Sequence, residues 1–111
     1  MVQNIAQAII CQAKEERAQD IYFVPKENVY ELYMRIGDER RFICNYEFEE
    51  LAAVISHFKF TAGMNVGEKR RSQLGSCDYQ YSDKKTSLRL STVGDYRGYE
   101  SLVIRLLHDE E

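Results

Sequence analysis

The sequence is short of the residues from which catalytic and metal centres are commonly built. It has two histidines, His57 and His108, and three cysteines, Cys11, Cys44 and Cys77. An odd cysteine count with no close pair argues against a disulfide framework or a thiolate zinc site and points to reduced, buried thiols. The equal spacing of the cysteines suggests a repeat, but their flanking residues do not match one another. The lone proline, Pro25, excludes a proline-rich docking segment. No G-x-x-x-x-G-K-S/T, G-x-S-x-G, H-E-x-x-H or dinucleotide fingerprint occurs, so these residues are not expected to catalyse by themselves. Asp78 and Asp83 are too few and too loosely placed for a metal site, and no metal is expected. No apolar run approaches the roughly 20 residues of a membrane span, and Gln and Asn interrupt the first apolar segment, unlike a signal peptide. A cytoplasmic protein is expected. Fifteen Lys and Arg against 18 Asp and Glu leave a formal charge of −3, so the overall field attracts neither nucleic acid nor an anionic membrane.

What is present is the material of one folded domain. The 111 residues suffice for a single core, and a hydrophobic share of 44% argues against disorder. Val2, Ile5, Ala6, Ile9, Ile10 and Ala13 recur at helical spacing, giving an amphipathic helix that ends near Arg17. Asp20 to Val24 alternates, with Ile21 and Phe23 opposite Tyr22 and Val24, and Pro25 is expected to stop the pairing. From Val29 a clearer alternation puts Tyr30, Leu32, Met34 and Ile36 on one face. Gly37 and Asp38 suit a type II′ hairpin turn into a third strand over Arg41 to Cys44. Glu47, Glu49 and Glu50 open a second helix whose core stripe is Phe48, Leu51, Ala52, Ile55 and Phe58, and Gly63 is a fitting end. Gly63 to Ser76 has no period and reads as a loop. Two further alternating runs follow, Cys77 to Tyr81 and Ser87 to Thr92, separated by a turn at Ser82 to Lys85. Leu102 to Leu107 is apolar on both faces except at Arg105, as an interior strand is. The order α-β-β-β-α-β-β-β predicts an α+β fold, a mostly antiparallel sheet flanked by two main helices.

Strand parity puts Arg89 opposite in phase to Leu88 and Leu90, and Arg105 opposite to Ile104 and Leu106. If these strands are neighbours, the two guanidiniums come together and repel unless an anion or carboxylate sits between them. A phosphate would satisfy them, since the guanidinium fork suits bidentate binding of phosphate oxygens. A strand arginine on a solvated face can equally be a surface residue or a partner for Glu31 or Glu100. Lys69, Arg70 and Arg71 are ambiguous in the same way, solvated or at an interface.

The chain resembles the type II secretion and type IV pilus assembly ATPases, most of all those serving DNA uptake in competent bacteria. Ala18 to Pro25 is similar to that family's A-S-D-I-H-I-E-P strand, and Met34 to Asp38 to its R-x-R-I-D-G hairpin. Ile55 to Gly75 resembles the segment I-K-x-x-A-G-x-x-x-x-E-x-R-x-P-Q-x-G. Leu88-Arg89-Leu90-Ser91-Thr92 and Val103-Ile104-Arg105-Leu106-Leu107 are similar to D-x-R-V-S-T and V-x-R-L-L. The departures are Tyr22 for the His, Val24 for the Glu, and Ser72 to Ser76 where the family has P-Q-D-G-R, so roles of those side chains are not carried over.

The resemblance implies a PAS-like N-terminal domain spanning residues 1–111 of a hexameric traffic ATPase, with a RecA-like P-loop domain expected beyond Glu111. It implies that Arg89 and Arg105 approach nucleotide phosphates held by that domain, that ATP and Mg belong to the whole protein, and that none is bound by this fragment. It further implies docking on the ATPase domain of the same and neighbouring subunits, to which Lys69, Arg70 and Arg71 could contribute. Contact with an inner-membrane platform protein would place the assembly peripheral to the membrane, with no direct binding of nucleic acid. The alternative is a free-standing PAS-like module that senses a ligand or binds a protein.

Overall fold

The computed structural model describes residues 2–108, so Glu111, beyond which a further domain is expected, lies outside the described residues. Helix α1 (Val2–Glu16) buries Ala6, Ile9, Ile10 and Ala13, an i, i+3, i+4, i+7 stripe. Its end is closed by Ala18 N–H on the Ala13 carbonyl at 2.8 Å and Arg17 N–H on Lys14 at 3.1 Å. Arg17 takes a left-handed φ of 55° to make that turn.

Six strands follow: β1 (Asp20–Pro25), β2 (Val29–Ile36), β3 (Glu39–Glu47), β4 (Gln73–Tyr81), β5 (Lys84–Gly94) and β6 (Glu100–Leu107). With α2 (Phe48–Thr61) between β3 and β4, the order is the expected α-β-β-β-α-β-β-β. They form one sheet in the order β3-β2-β1-β6-β5-β4, antiparallel throughout, and the fold is α+β. The doubly apolar β6 is interior, between β1 and β5, as its sequence predicts. The core forms where the buried sides of the helices meet Ile21, Phe23, Leu32, Met34, Leu90 and Ile104 of the sheet. Among the described residues no helix is long and apolar enough to cross a membrane.

Several boundaries differ from those expected. Pro25 belongs to β1, paired with Tyr30, but β1 meets β6 only through Phe23, so the proline sits where the strand has lost one neighbour. β3 is longer than Arg41 to Cys44, and Ile43 is the extra residue of a bulge facing Leu32 and Tyr33. Residues Gln73 to Ser76 are not loop but the start of β4, held in register by Thr92 to Arg89. The three cysteines are free but only half-buried, because they lie at the margins of the core. The hairpin is as expected: Gly37 has φ 63° and Asp38 does not, the pattern of a type II′ turn.

The α2 stripe also differs. Leu51, Val54, Ile55 and Phe58 are buried, Ala52 is exposed, and Lys59 is fully buried. The helix ends at Gly63, φ 71°, with Met64 N–H on the Lys59 carbonyl at 2.8 Å. Burying an ammonium is costly unless every donor is used. Lys59 Nζ donates to Glu100 Oε2 at 2.6 Å, to the Glu68 carbonyl at 2.8 Å and to the Val66 carbonyl at 3.4 Å. Three donors find three acceptors, and the aperiodic stretch after α2 is thereby fixed to the start of β6. Tyr30 donates to the Glu100 carbonyl at 2.6 Å, and burial, then the Glu100 charge, push its phenol up to about 12.

Lys59→Ala is expected to destabilise the fold by about 3–5 kcal/mol in denaturant titration, because it leaves Glu100 buried and unpaired. Replacing both partners, Lys59→Met with Glu100→Leu, should cost less than the single change. The His57 ring lies 2.9 Å from the Tyr79 hydroxyl, and burial lowers its pKa below the ordinary 6.5. The unfolded chain therefore binds the proton first, and stability should fall as the pH drops below 6.5. His57→Gln should flatten that part of a stability–pH curve.

Candidate functional site

The face of the sheet turned away from the helices carries a row of charge that strand parity creates. In β5 Leu88 and Leu90 are buried and Arg89 is exposed; in β6 Ile104 and Leu106 are buried and Arg105 is exposed. The register makes Arg89 and Arg105 directly opposed partners. Opposed Cα atoms in an antiparallel ladder lie about 4.5–5.5 Å apart, so both side chains leave the same face side by side. The row continues from Arg105 to Asp20, Arg35 and Arg40. Four arginines and one carboxylate stand in this cross-strand row, a local charge of +3 in a chain of net −3.

Asp20 is 2% exposed although it lies on the outward face. Its cover is made by its partners. Arg35 donates Nε at 2.8 Å to Oδ2 and brings Nη2 within 2.6 Å of the same oxygen, Arg105 donates Nε at 3.1 Å to Oδ1, and the Tyr22 hydroxyl lies 3.4 Å from Oδ2. The three arginines nearest the centre thus differ in commitment. Arg35 gives Asp20 two nitrogens and Arg105 gives it one, while Arg89 has no ion pair and no side-chain hydrogen bond among the described residues. The Arg105 side chain remains 61% exposed. Arg40 lies over the rings of Tyr22 and Tyr33, 4.6 and 4.5 Å from their centroids, and is held there by cation–π attraction. Between Arg89 and Arg105, with Asp20, Tyr22 and Val103 also lining it, is a shallow depression of about 400 Å³.

The carboxylates expected beside the arginines lie elsewhere. Glu100 points into the core to meet Lys59, and Glu31 takes the Tyr33 hydroxyl at 2.7 Å. Asp20 fills the place instead, and its parity with Tyr22, opposite to Ile21 and Phe23, was the available signal. Among the described residues no cluster of three or more His, Cys, Asp or Glu side chains could hold a metal.

Lys69, Arg70 and Arg71 are exposed, but their loop is not irregularly placed. The Glu68 carboxylate accepts the backbone N–H groups of Arg70 at 2.9 Å and Arg71 at 3.1 Å, which hold its pKa below the usual range. The Lys69 carbonyl packs so closely on Gly94 that a Cβ there would collide with it. Gly94 ends β5, five residues from Arg89, so the basic loop anchors roughly 16 Å along the strand from the arginine pair. The two candidate groups are not brought together.

A family model described as Type II/IV secretion system protein matches residues 1–111. The chain belongs to that family. The competence protein ComGA of Streptococcus pneumoniae is 75% identical over 111 residues, all of this chain and 36% of that protein. ComGA of Bacillus subtilis is 32% identical over 106 residues, 96% of this chain and 30% of that protein. The type IV pilus assembly ATPase PilB of Thermus thermophilus is 34% identical over 105 residues, 95% of this chain but 12% of that protein. The chain therefore spans about a third or less of the length of these relatives. In this chain the arginine pair is carried by β5 and β6, two strands whose register is set by the core on their other face.

Gly94→Ala is expected to displace the Lys69–Arg71 loop and to destabilise the domain by about 1–3 kcal/mol, the usual cost of overpacking. Denaturant unfolding measures the loss, and amide chemical shifts of Glu68 to Arg71 would report the displacement.

Proposed function

We propose that this chain is the N-terminal domain of a hexameric traffic ATPase that powers competence pseudopilus assembly and DNA uptake. In this reading Arg89 and Arg105 contact the phosphates of a nucleotide held by another domain. The observation that carries it is the cross-strand pairing of two outward arginines with a single carboxylate on one side of the pair. Such an array is short of negative charge, and a triphosphate supplies it in a form that two guanidinium forks can grip. The likeness to a competence protein and to a pilus assembly ATPase supports this reading.

The role of the pair would be electrostatic stabilisation of charge during phosphoryl transfer, with the P-loop, the base and the magnesium site on the partner domain. ATP and Mg would then bind the whole protein and not this chain alone. Docking on the ATPase domain of the same and adjacent subunits would bring the outer sheet face over the nucleotide. The loop of Lys69, Arg70 and Arg71 would add a second cationic contact at the end of β5. An inner-membrane platform protein would receive the motion of closing and reopening.

In the full-length protein, Arg89→Ala and Arg105→Ala are each expected to lower the turnover of ATP by about 10²–10³-fold, as loss of a transition-state donor does. Arg89 is exposed and has no ion pair among the described residues, so Arg89→Ala should leave the unfolding midpoint unchanged, whereas Arg105→Ala should lower it modestly because the buried Asp20 loses one donor. Wild-type turnover in both variants would remove the phosphate role.

A further inference from the structure

The three arginines around Asp20 are committed to it in graded fashion, and the grading has a functional consequence. Arg35 spends both its Nε and an Nη on Oδ2. Arg105 spends only Nε, on Oδ1. Its Nη groups, the far end of the fork, have no protein hydrogen-bond partner among the described residues, and the Arg105 side chain lines both the depression shared with Arg89 and a second hollow beside Arg35 and Gln19. Arg89 has no ion pair among the described residues. We propose that Asp20 is a positioning residue: its buried carboxylate, braced by Arg35, holds the Nε side of Arg105 so that the Nη edge is presented to an incoming phosphate.

The proposal rests on the reading that Arg105 contacts nucleotide phosphate. It goes further by naming the residue that sets the geometry of that contact. An arginine on an open sheet face has several rotatable bonds, and fixing it before the ligand arrives removes an ordering cost from the chemical step. Asp20 suits the task because it is itself immobile. It starts β1 at the sheet's centre, directly opposite both Arg35 and Arg105, and is 2% exposed. A carboxylate fixed on a strand and engaged on both oxygens cannot follow Arg105 away from its place. The tyrosine hydroxyl near Oδ2 and the ion-paired Arg35 close the other approach. The arrangement gives the two phosphate-facing arginines different duties: Arg105 is aimed beforehand, and Arg89 is left to adjust.

The test is a double-mutant cycle in the full-length ATPase, using Asp20→Asn and Arg105→Ala, with steady-state hydrolysis and thermal unfolding measured on every variant. Asp20→Asn is expected to lower kcat roughly 10–100-fold while KM changes less than threefold. The double variant should be no slower than Arg105→Ala alone, because Asp20 acts only through Arg105. Additive losses would mean a general structural role and would overturn the proposal. Should Asp20→Asn fail to fold, Asp20→Glu retains the charge and shifts the carboxylate by one methylene; it should lower kcat in the same direction, and wild-type turnover in it would sink the idea. The outcomes separate the two readings. If Arg105→Ala hydrolyses ATP normally, the phosphate reading fails for Arg105 and the positioning role falls with it; if Arg105→Ala is slow and the Asp20 variants are not, the phosphate reading stands and the positioning role alone is lost.

Discussion

The charge order of the outer sheet face depends on one carboxylate at the start of β1. Asp20 sits in the same cross-strand row as four arginines and is engaged by two of them. Without it the row would hold four like charges on neighbouring strands, an arrangement that opposes pairing. With it, repulsion is relieved at Arg35 and Arg105 and left standing at Arg89. The distribution is therefore asymmetric, and the asymmetry points toward the β5–β6 side, where the shallow depression lies.

A second buried charge supports this face from behind. Lys59 reaches from α2 through the core to Glu100 and to two carbonyls of the segment between α2 and β4. That contact fixes the start of β6, and the register of β6 against β5 and β1 is what aligns Arg105 with both Arg89 and Asp20. A slip of one residue would turn Arg105 into the core. Both ion pairs tie segments distant in sequence, but one lies wholly in the interior and the other closes at the surface with one partner 61% exposed.

Most of this frame was legible in the residues. Alternation placed Arg89 and Arg105 outward, the doubly apolar run marked β6 as interior, and Gly37 and Gly63 marked their turns, because each of these is a local signal. What the pattern did not disclose came from tertiary pairing. Lys59 stands among apolar residues of α2, but nothing local tells that Glu100 will meet it 41 positions later. Asp20 looked like the polar beginning of a strand, and its identity as the partner of Arg105 depends on β1 lying beside β6, a sheet order that hydrophobic period does not encode. Gln73 to Ser76 read as loop because Gly75 and the small Ser76 carry no period. A Cβ at Gly75 would meet the flexible Met64 side chain, which would have to move aside.

The unrelieved half of the row gives the proposed docking a direction. Two unit charges about 5 Å apart repel by roughly 1 kcal/mol in water and by roughly 3 kcal/mol at an effective dielectric of 20. On an open surface the Arg89–Arg105 pair is near the first limit, since both side chains are solvated. Covering the face with another domain moves the pair toward the second, so closure over an empty site is opposed by the arginines themselves. A phosphate between them reverses the sign, because each guanidinium then faces an anion in the same low dielectric. The energy that separates open from closed would thus depend on whether nucleotide is present, which is the linkage a ligand-driven motion requires. In this scheme the carboxylate of Asp20 limits how far the repulsion goes: it neutralises enough charge to let the strands pair and leaves enough for the ligand to decide the rest.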